Sequence, residues 1–150
     1  MFQTFKHLSI LIAFFLLFPI LANDASSPIG KWKTIDDSTK VAKSIVEISA
    51  ASDGKLIGKI IQIFPGPKED PNPKCDKCEG DRKNQPILGM TFLWDIEKRE
   101  SDWGNGHILD PDNGKIYRAK LKTIDEGKRL EVRGFIGISL LGRTQYWERQ

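Results

Sequence analysis

The motif Cys75-Asp76-Lys77-Cys78 contains the residues best suited to chemistry in this sequence. In an oxidising compartment, two cysteines at this spacing most simply form a disulfide that closes a small loop. A thioredoxin-type redox site would place the pair at a helix N-terminus within a βαβ pattern, which the flanking residues do not show. A structural zinc site needs four ligands, usually two such pairs. The sequence therefore favours a structural disulfide, with a redox site and a metal site as the alternatives.

The other polar residues do not form a recognisable catalytic set. His107 is the only histidine beyond His7, and no pattern places a nucleophile or carboxylate beside it. The run Asp110-Pro111-Asp112-Asn113-Gly114 resembles the start of a calcium loop. An EF-hand, however, requires glutamate at its twelfth position, which is Leu121 here. We therefore predict no catalytic residue, no metal and no cofactor, and we favour a protein that is not an enzyme.

β-strands are predicted to position these residues. Short runs rich in Ile, Val, Phe and Trp recur between Gly, Asn, Asp and Pro, which is typical of an all-β sandwich or barrel. Ser52-Asp53-Gly54 and Asn113-Gly114 indicate hairpin turns, because glycine adopts the positive φ that tight turns need. Alternating apolar and polar residues indicate a closed antiparallel sheet. The predicted strands cover residues 30–34, 44–49, 55–64, 87–97, 106–109, 115–123, 129–136 and 142–148.

Four large aromatic side chains are predicted to line the barrel interior. Alternation in the strand at 87–97 places Phe92 and Trp94 on one apolar face. Tyr117 falls on the apolar face of its strand, and Phe135 lies in the next strand. Because small barrels either hold one ligand or are filled by side chains, the sequence leaves both a pocket and a packed core open.

Residues 65–85 interrupt the strand pattern. This stretch contains four prolines, many charges and both cysteines. Loops of this length within a small domain are often functional or held by a disulfide. A protein-interaction role for this Pro-rich loop is therefore a further alternative.

The first 22 residues are predicted to be a signal peptide. Lys6 precedes an apolar run at residues 8–21, and Ala22 stands at the exit. A membrane anchor is the alternative, but a spanning helix needs about 20 apolar residues, and this run is shorter and contains Pro19. Cleavage after Ala22 would leave residues 23–150 as one domain, exported to the periplasm or secreted.

The charge balance gives little reason to expect a nucleic acid or an anionic membrane as partner. The chain has 23 basic and 20 acidic residues, and removal of Lys6 with the signal peptide leaves 22 against 20. Both signs are mixed along the sequence, which is typical of a solvated surface. No second long apolar run follows, so we predict no membrane span in the mature protein, and the oligomeric state stays open.

The first and last strands of the predicted barrel each contain a residue that could take part in its closure. Gly30-Lys31-Trp32 opens the first strand, and Arg143 lies in the last. A Gly-x-Trp at the first strand with a late basic residue resembles the lipocalin signature, in which an arginine lies over the tryptophan ring. Because barrel closure brings the first and last strands together, we predict that Trp32 and Arg143 are in contact at the barrel floor.

A longer resemblance is carried, in order, by four sequence blocks. They are Gly30-Lys31-Trp32-Lys33-Thr34-Ile35-Asp36-Asp37; Cys75-Asp76-Lys77-Cys78 with Gly80-Asp81-Arg82; Gly106-His107-Ile108-Leu109-Asp110-Pro111 with Asn113-Gly114-Lys115; and Arg133-Gly134-Phe135-Ile136-Gly137 with Leu141-Gly142-Arg143-Thr144 and Trp147. Together they resemble an uncharacterised exported bacterial family, the domain of unknown function DUF2147. The resemblance implies an exported single domain with a lipocalin-like barrel. It implies no established reaction and therefore no catalytic residue.

The predicted fold is an all-β, antiparallel, lipocalin-like barrel of about eight strands with one long Pro-rich loop. The predicted function is that of an exported binding protein for a small apolar molecule, because large apolar side chains would line the interior. The alternatives are a redox-active or enzymatic protein using Cys75 and Cys78, and an interaction module acting through the Pro-rich loop.

Overall fold

The chain forms a closed antiparallel barrel in which each of eight strands pairs with the next along the sequence, and the last pairs with the first. The computed structural model describes residues 24–150, so the predicted signal peptide at residues 1–22 lies outside the described residues. The predicted fold class is confirmed. The strands are β1 (Gly30–Ile35), β2 (Ala42–Ala50), β3 (Leu56–Ile63), β4 (Thr91–Lys98), β5 (Trp103–Asp110), β6 (Lys115–Ile124), β7 (Arg129–Phe135) and β8 (Gly142–Arg149).

Two single-turn helices, Gly80–Arg82 and Asp125–Gly127, complete the regular structure of residues 24–150. Within that range, neither helix has the length and apolar character to cross a membrane. The segment between β3 and β4, residues 64–90, is called here the long loop. It includes the predicted Pro-rich stretch and the first of the two helices.

One end of the barrel, called here the floor, is packed solid. Five aliphatic side chains from five different strands meet there, and each is at most 1% exposed. Trp32 is fully buried beside them, and its indole Nε1 donates to the carbonyl of Pro28, 2.8 Å away. The aliphatic side chains are those of Ile48, Leu56, Ile96, Leu121 and Leu130.

Arg149 closes the floor. Its guanidinium carbon lies 4.1 Å from the centroid of the Trp32 ring, a cation–π geometry. The same guanidinium donates to the carbonyls of Ser27, Ile29 and Gly127, so it joins the N-terminal segment to the β6–β7 turn. Burial lowers the pKa of Arg149, although an arginine remains protonated in proteins.

The predicted contact between Trp32 and Arg143 is therefore wrong, because Arg149 takes that place. The reason is strand direction. β1 and β8 are antiparallel, and Trp32 pairs with Arg149 at the end of β8. Arg143 lies six residues earlier, about 20 Å away along a strand. There it forms an ion pair with Asp37, just beyond the end of β1.

Trp94 lies on the outer wall of the barrel, which corrects its predicted place in the interior. Strict alternation fails in β4, because its register with β3 shifts twice and Asp95 has a φ of 57°. Phe92 and Leu93 are both buried, and Trp94 then pairs with His107 on the outer face.

The floor generates a prediction with a matched control. Trp32→Ala should lower the free energy of unfolding by about 3–5 kcal/mol, the usual cost of truncating a large core residue. Arg149→Ala should cost about 1–3 kcal/mol, because it leaves carbonyls at the floor without their donor. Arg143→Ala, which removes an exposed ion pair, should cost at most about 1 kcal/mol. Urea unfolding of the three variants measures these differences, and an Arg143→Ala loss equal to that of Arg149→Ala would contradict this description of the floor.

Candidate ligand cavity

The end of the barrel opposite the floor, called here the mouth, opens into a cavity of about 940 Å³. Pockets that hold small molecules in proteins have volumes of roughly 300–1,000 Å³. The mouth is formed by the β1–β2 turn, the long loop, the β5–β6 turn and the β7–β8 loop. The sequence did not decide between a ligand pocket and a packed core. The structure contains both, one at each end of the barrel.

The deep part of the cavity is apolar. Phe92 and Trp147 form its base, with their ring centroids 6.0 Å apart. Because no charged or polar side chain is fully buried among residues 24–150, the interior offers a ligand mainly hydrophobic contact. The apolar side chains around these rings include Val46, Ile60, Ile63, Ile87, Leu109 and Val132.

Polar groups line the cavity at middle depth and at the rim. The hydroxyl groups of Thr34 and Ser44 are 2.8 Å apart and hydrogen-bonded to each other. Tyr117 accepts a hydrogen bond from the side-chain amide of Asn113. Charged residues lie at the rim, where they remain in contact with water: Asp36, Lys43, Glu69, Asp70, Asp110, Asp112 and Arg143.

Asp36 fixes the shape of the β1–β2 turn at the rim. Its carboxylate accepts hydrogen bonds from the hydroxyl and backbone amide groups of both Ser38 and Thr39. The hydroxyl of Ser38 is the largest of the effects that hold the pKa of Asp36 well below its usual range. The next residue, Asp37, binds Arg143 and so joins this turn to β8. These contacts bridge β1 and β8 above the short stretch where the two strands pair.

Of the four predicted lining residues, Phe92 and Tyr117 line the cavity, Phe135 borders it only at the rim, and Trp94 does not line it. The prediction for the Phe135 ring is therefore wrong, because Phe135 pairs with Arg118 on the outer face of the sheet and its ring lies 5.8 Å from the guanidinium of that residue. Sequence analysis missed Trp147 and the aliphatic wall from β2 and β3. The alternation Ser44, Val46, Ile48 in β2 was a usable signal for that wall.

Cys75 and Cys78 lie within disulfide-bonding distance, and both are almost completely buried. The pair anchors the long loop against the β5–β6 turn. The ammonium of Lys77 donates to the carbonyl of Asp112 at 2.9 Å, and a Cβ on Gly114 would lie 2.0 Å from the carbonyl oxygen of Lys77. This close approach requires glycine at position 114, where φ is 73°. The long loop is thereby held as one wall of the mouth.

His107 takes part in a stack on the outer wall. The rings of Trp94 and His107 lie 5.6 Å apart and nearly parallel, and the guanidinium of Arg82 lies 4.4 Å from the Trp94 ring centroid. The His107 Nδ1 is buried and has no hydrogen-bond partner. Residues 24–150 contain no group of three His, Cys, Asp or Glu side chains arranged to hold a metal ion. The stack is therefore best described as packing that covers β4 and β5.

The family described as "Uncharacterized protein conserved in bacteria (DUF2147)" matches residues 30–149, from the first residue of β1 to the last of β8. The chain belongs to this family. The resemblance seen in the four sequence blocks is thus confirmed, and the DUF2147 match includes the floor, the cavity and the long loop. No curated protein matches the sequence.

A solved structure shares the fold of this DUF2147 barrel. Protein HP1028 from the human pathogen Helicobacter pylori is described as belonging to the lipocalin family. It superimposes with a TM-score of 0.69 at 22% sequence identity, over 83% of each chain. At this identity the likeness shows the fold, and it confirms that the DUF2147 barrel is lipocalin-like.

Removal of both cysteines should leave the DUF2147 barrel folded. The Cys75–Cys78 pair closes a very short loop, so its loss should cost less than the roughly 3 kcal/mol expected for a 15-residue loop. The double variant Cys75→Ser/Cys78→Ser should therefore melt cooperatively at a modestly lower temperature, measured by circular dichroism. If the double variant keeps its melting temperature and its ligand binding while another activity disappears, a redox role is supported and a purely structural role is wrong.

Proposed function

We propose that this protein is an exported binding protein that holds a small, mostly apolar molecule in the upper half of its barrel. The observation that supports this most strongly is the 940 Å³ cavity, which is open at the mouth and closed by the packed floor. A fully packed interior would leave no space for a ligand, whereas this volume matches that of small-molecule pockets.

The distribution of polar groups suggests a ligand with an apolar body and, where it has one, a polar group at one end. The body would contact the Phe92 and Trp147 rings at the base of the cavity. A charged group there would lose its hydration without finding a partner, which is costly. At the rim, a polar end could instead reach Lys43, Tyr117 or Arg143 while remaining in water.

The alternatives have weaker support. Thiol–disulfide exchange requires access to a sulfur atom, and Cys75 and Cys78 are only 0% and 2% exposed. An interaction module acting through the Pro-rich loop would need that loop to present a free surface. Most of its residues are exposed, but apart from its prolines that exposed surface is charged or polar and shows no feature specific to a partner, and Pro65, Glu69 and Pro73 also contribute to the cavity wall.

Export remains a proposal that depends on residues 1–22. The apolar run and Ala22 favour cleavage that leaves Asn23 as the first residue of the mature chain. N-terminal sequencing of the protein recovered from the periplasm or culture medium should find Asn23. Recovery of chains that still begin with Met1 would contradict cleavage.

A large side chain at Gly134 should block the cavity. Gly134 lines the cavity from β7, and a Cβ there would lie 3.6 Å from Ile108 and Tyr117, an ordinary contact distance. Gly134→Phe should therefore fold and project a ring into the cavity. We expect its Kd for the apolar dye Nile red, measured by fluorescence without lipid, to rise at least about tenfold, which corresponds to about 1.4 kcal/mol.

The matched control is Lys122→Phe, which places the same side chain on the exposed outer face of β6. Its Kd for Nile red should equal that of the wild type. If Gly134→Phe retains its wild-type cooperative melting and also binds the dye with wild-type affinity, the dye does not occupy the cavity and the proposed function is not supported.

A further inference from the structure

The loop between β7 and β8, residues 136–141, presents a cluster of exposed apolar side chains at the mouth and is called here the apolar loop. Leu140 is 84% exposed and Ile138 is 61% exposed, and Ile136 and Leu141 are similarly exposed. The only other residues in the apolar loop are Gly137 and Ser139, so it carries no charge. Soluble proteins rarely expose apolar residues in such a contiguous group unless the surface binds something.

Arg133 holds the apolar loop in a fixed shape. Its guanidinium donates to the carbonyl of Ser139 at 2.8 Å and to the carbonyl of Leu140 at 3.2 Å. The amide of Leu141 donates to the carbonyl of Ile138 at 3.1 Å. Three backbone carbonyls of the apolar loop therefore already have partners within the protein. This matters for contact with lipid, because an unpaired backbone group is costly wherever water is absent.

Basic side chains lie on the outer wall directly below the apolar loop. Lys120 pairs with Arg133, and Arg118 pairs with Phe135, across the β6–β7 ladder. The Arg118 guanidinium and the Lys120 ammonium flank the Phe135 ring at 5.8 and 5.9 Å. An apolar tip bordered by cations is the pattern of segments that dock on membranes with anionic headgroups.

The apolar loop is continuous with the cavity. Ile136 and Leu141 expose apolar surface to solvent and also line the cavity opening. A ligand that leaves the cavity past these two residues therefore meets the apolar loop first. A bilayer surface in contact with the apolar loop would be next to the opening.

We propose that the apolar loop inserts into the surface of a phospholipid bilayer and brings the barrel mouth against it, so that an apolar ligand passes between the lipid and the cavity. The passage of ligand rests on the proposed function, whereas the docking does not. The near-neutral net charge of the chain gives no sign of this surface, because the basic residues concerned are grouped locally on β6 and β7.

Vesicle flotation of the mature protein tests the docking. The vesicles are phosphatidylcholine with and without phosphatidylglycerol, and we expect the wild type to float with both and more strongly with the anionic mixture. Added salt should reduce only that extra binding, because it screens the basic residues. The double variant Ile138→Asp/Leu140→Asp should lower the partition coefficient by about tenfold or more, because its charges oppose insertion.

Two controls make the result specific. Ile29→Asp changes an exposed isoleucine near the floor, where Arg149 binds the Ile29 carbonyl, and should float as the wild type does. Ile138 and Leu140 do not line the cavity, so their double variant should bind Nile red with wild-type affinity in the absence of lipid. A Leu140→Cys variant labelled with an environment-sensitive dye should also show a blue shift on vesicles, even if the double variant folds poorly.

The docking proposal is overturned if the wild type does not float with either vesicle, or if the double variant floats as well as the wild type. It is also overturned if sedimentation shows that the wild type is a dimer and the double variant is a monomer, and neither protein binds vesicles. A wild type that binds Nile red without floating would remove the docking and leave the proposed function intact. A wild type that floats without binding Nile red would remove the proposed function and leave the docking proposal intact.

Discussion

Closure of the barrel at its floor by Arg149 is the interaction on which the rest of the structure depends. Among the described residues, β1 and β8 pair at Trp32–Arg149 and Lys33–Glu148, and the amide of Gln150 donates to the carbonyl of Lys31, so the two strands share only a short ladder of backbone hydrogen bonds. The Arg149 side chain strengthens this pairing by covering the Trp32 ring and binding carbonyls from the N-terminal segment and the β6–β7 turn. The barrel is thereby closed at one end and free to stay open at the other.

This division separates the half of the barrel that stabilises the fold from the half in which we propose that a ligand binds. Each large apolar side chain buried at the floor contributes about 1.5–3 kcal/mol relative to exposure. In the upper half, Phe92, Val132 and Trp147 face a cavity, so they forgo part of the contact that a packed core would provide. A ligand that fills this space would restore the contact and stabilise the folded state by mass action. The folded state tolerates this loss of contact around the cavity because the densely packed floor stabilises it.

Much of the fold could be predicted because alternation and turn residues are local signals. All eight strands lie near their predicted positions, and Asn113-Gly114 marks the β5–β6 turn. The errors came from features that depend on three-dimensional direction. A late arginine was expected over Trp32, but antiparallel pairing selects Arg149 rather than Arg143. Alternation predicts that Trp94 faces the barrel interior, because the irregular register of β4 cannot be recognised from its pattern of apolar residues.

The candidate site was harder to predict than the fold. A packed core and a ligand cavity both require inward-facing apolar residues, so Phe92 and Tyr117 fit either one until the volume between the strands is known. The apolar loop was missed for a related reason. Ile138 and Leu140 resemble core residues in the sequence, and only the position of the β7–β8 connection shows that they face solvent.

Native mass spectrometry of the mature protein, after incubation with a lipid extract of its own host, tests the central claim most directly. Because one cavity of about 940 Å³ opens at the mouth, we expect one bound molecule per chain, whose apolar character can be established after release. A wild-type protein that stays folded and retains no bound mass at saturating extract would contradict the claim that the upper half of the barrel is a ligand-binding cavity.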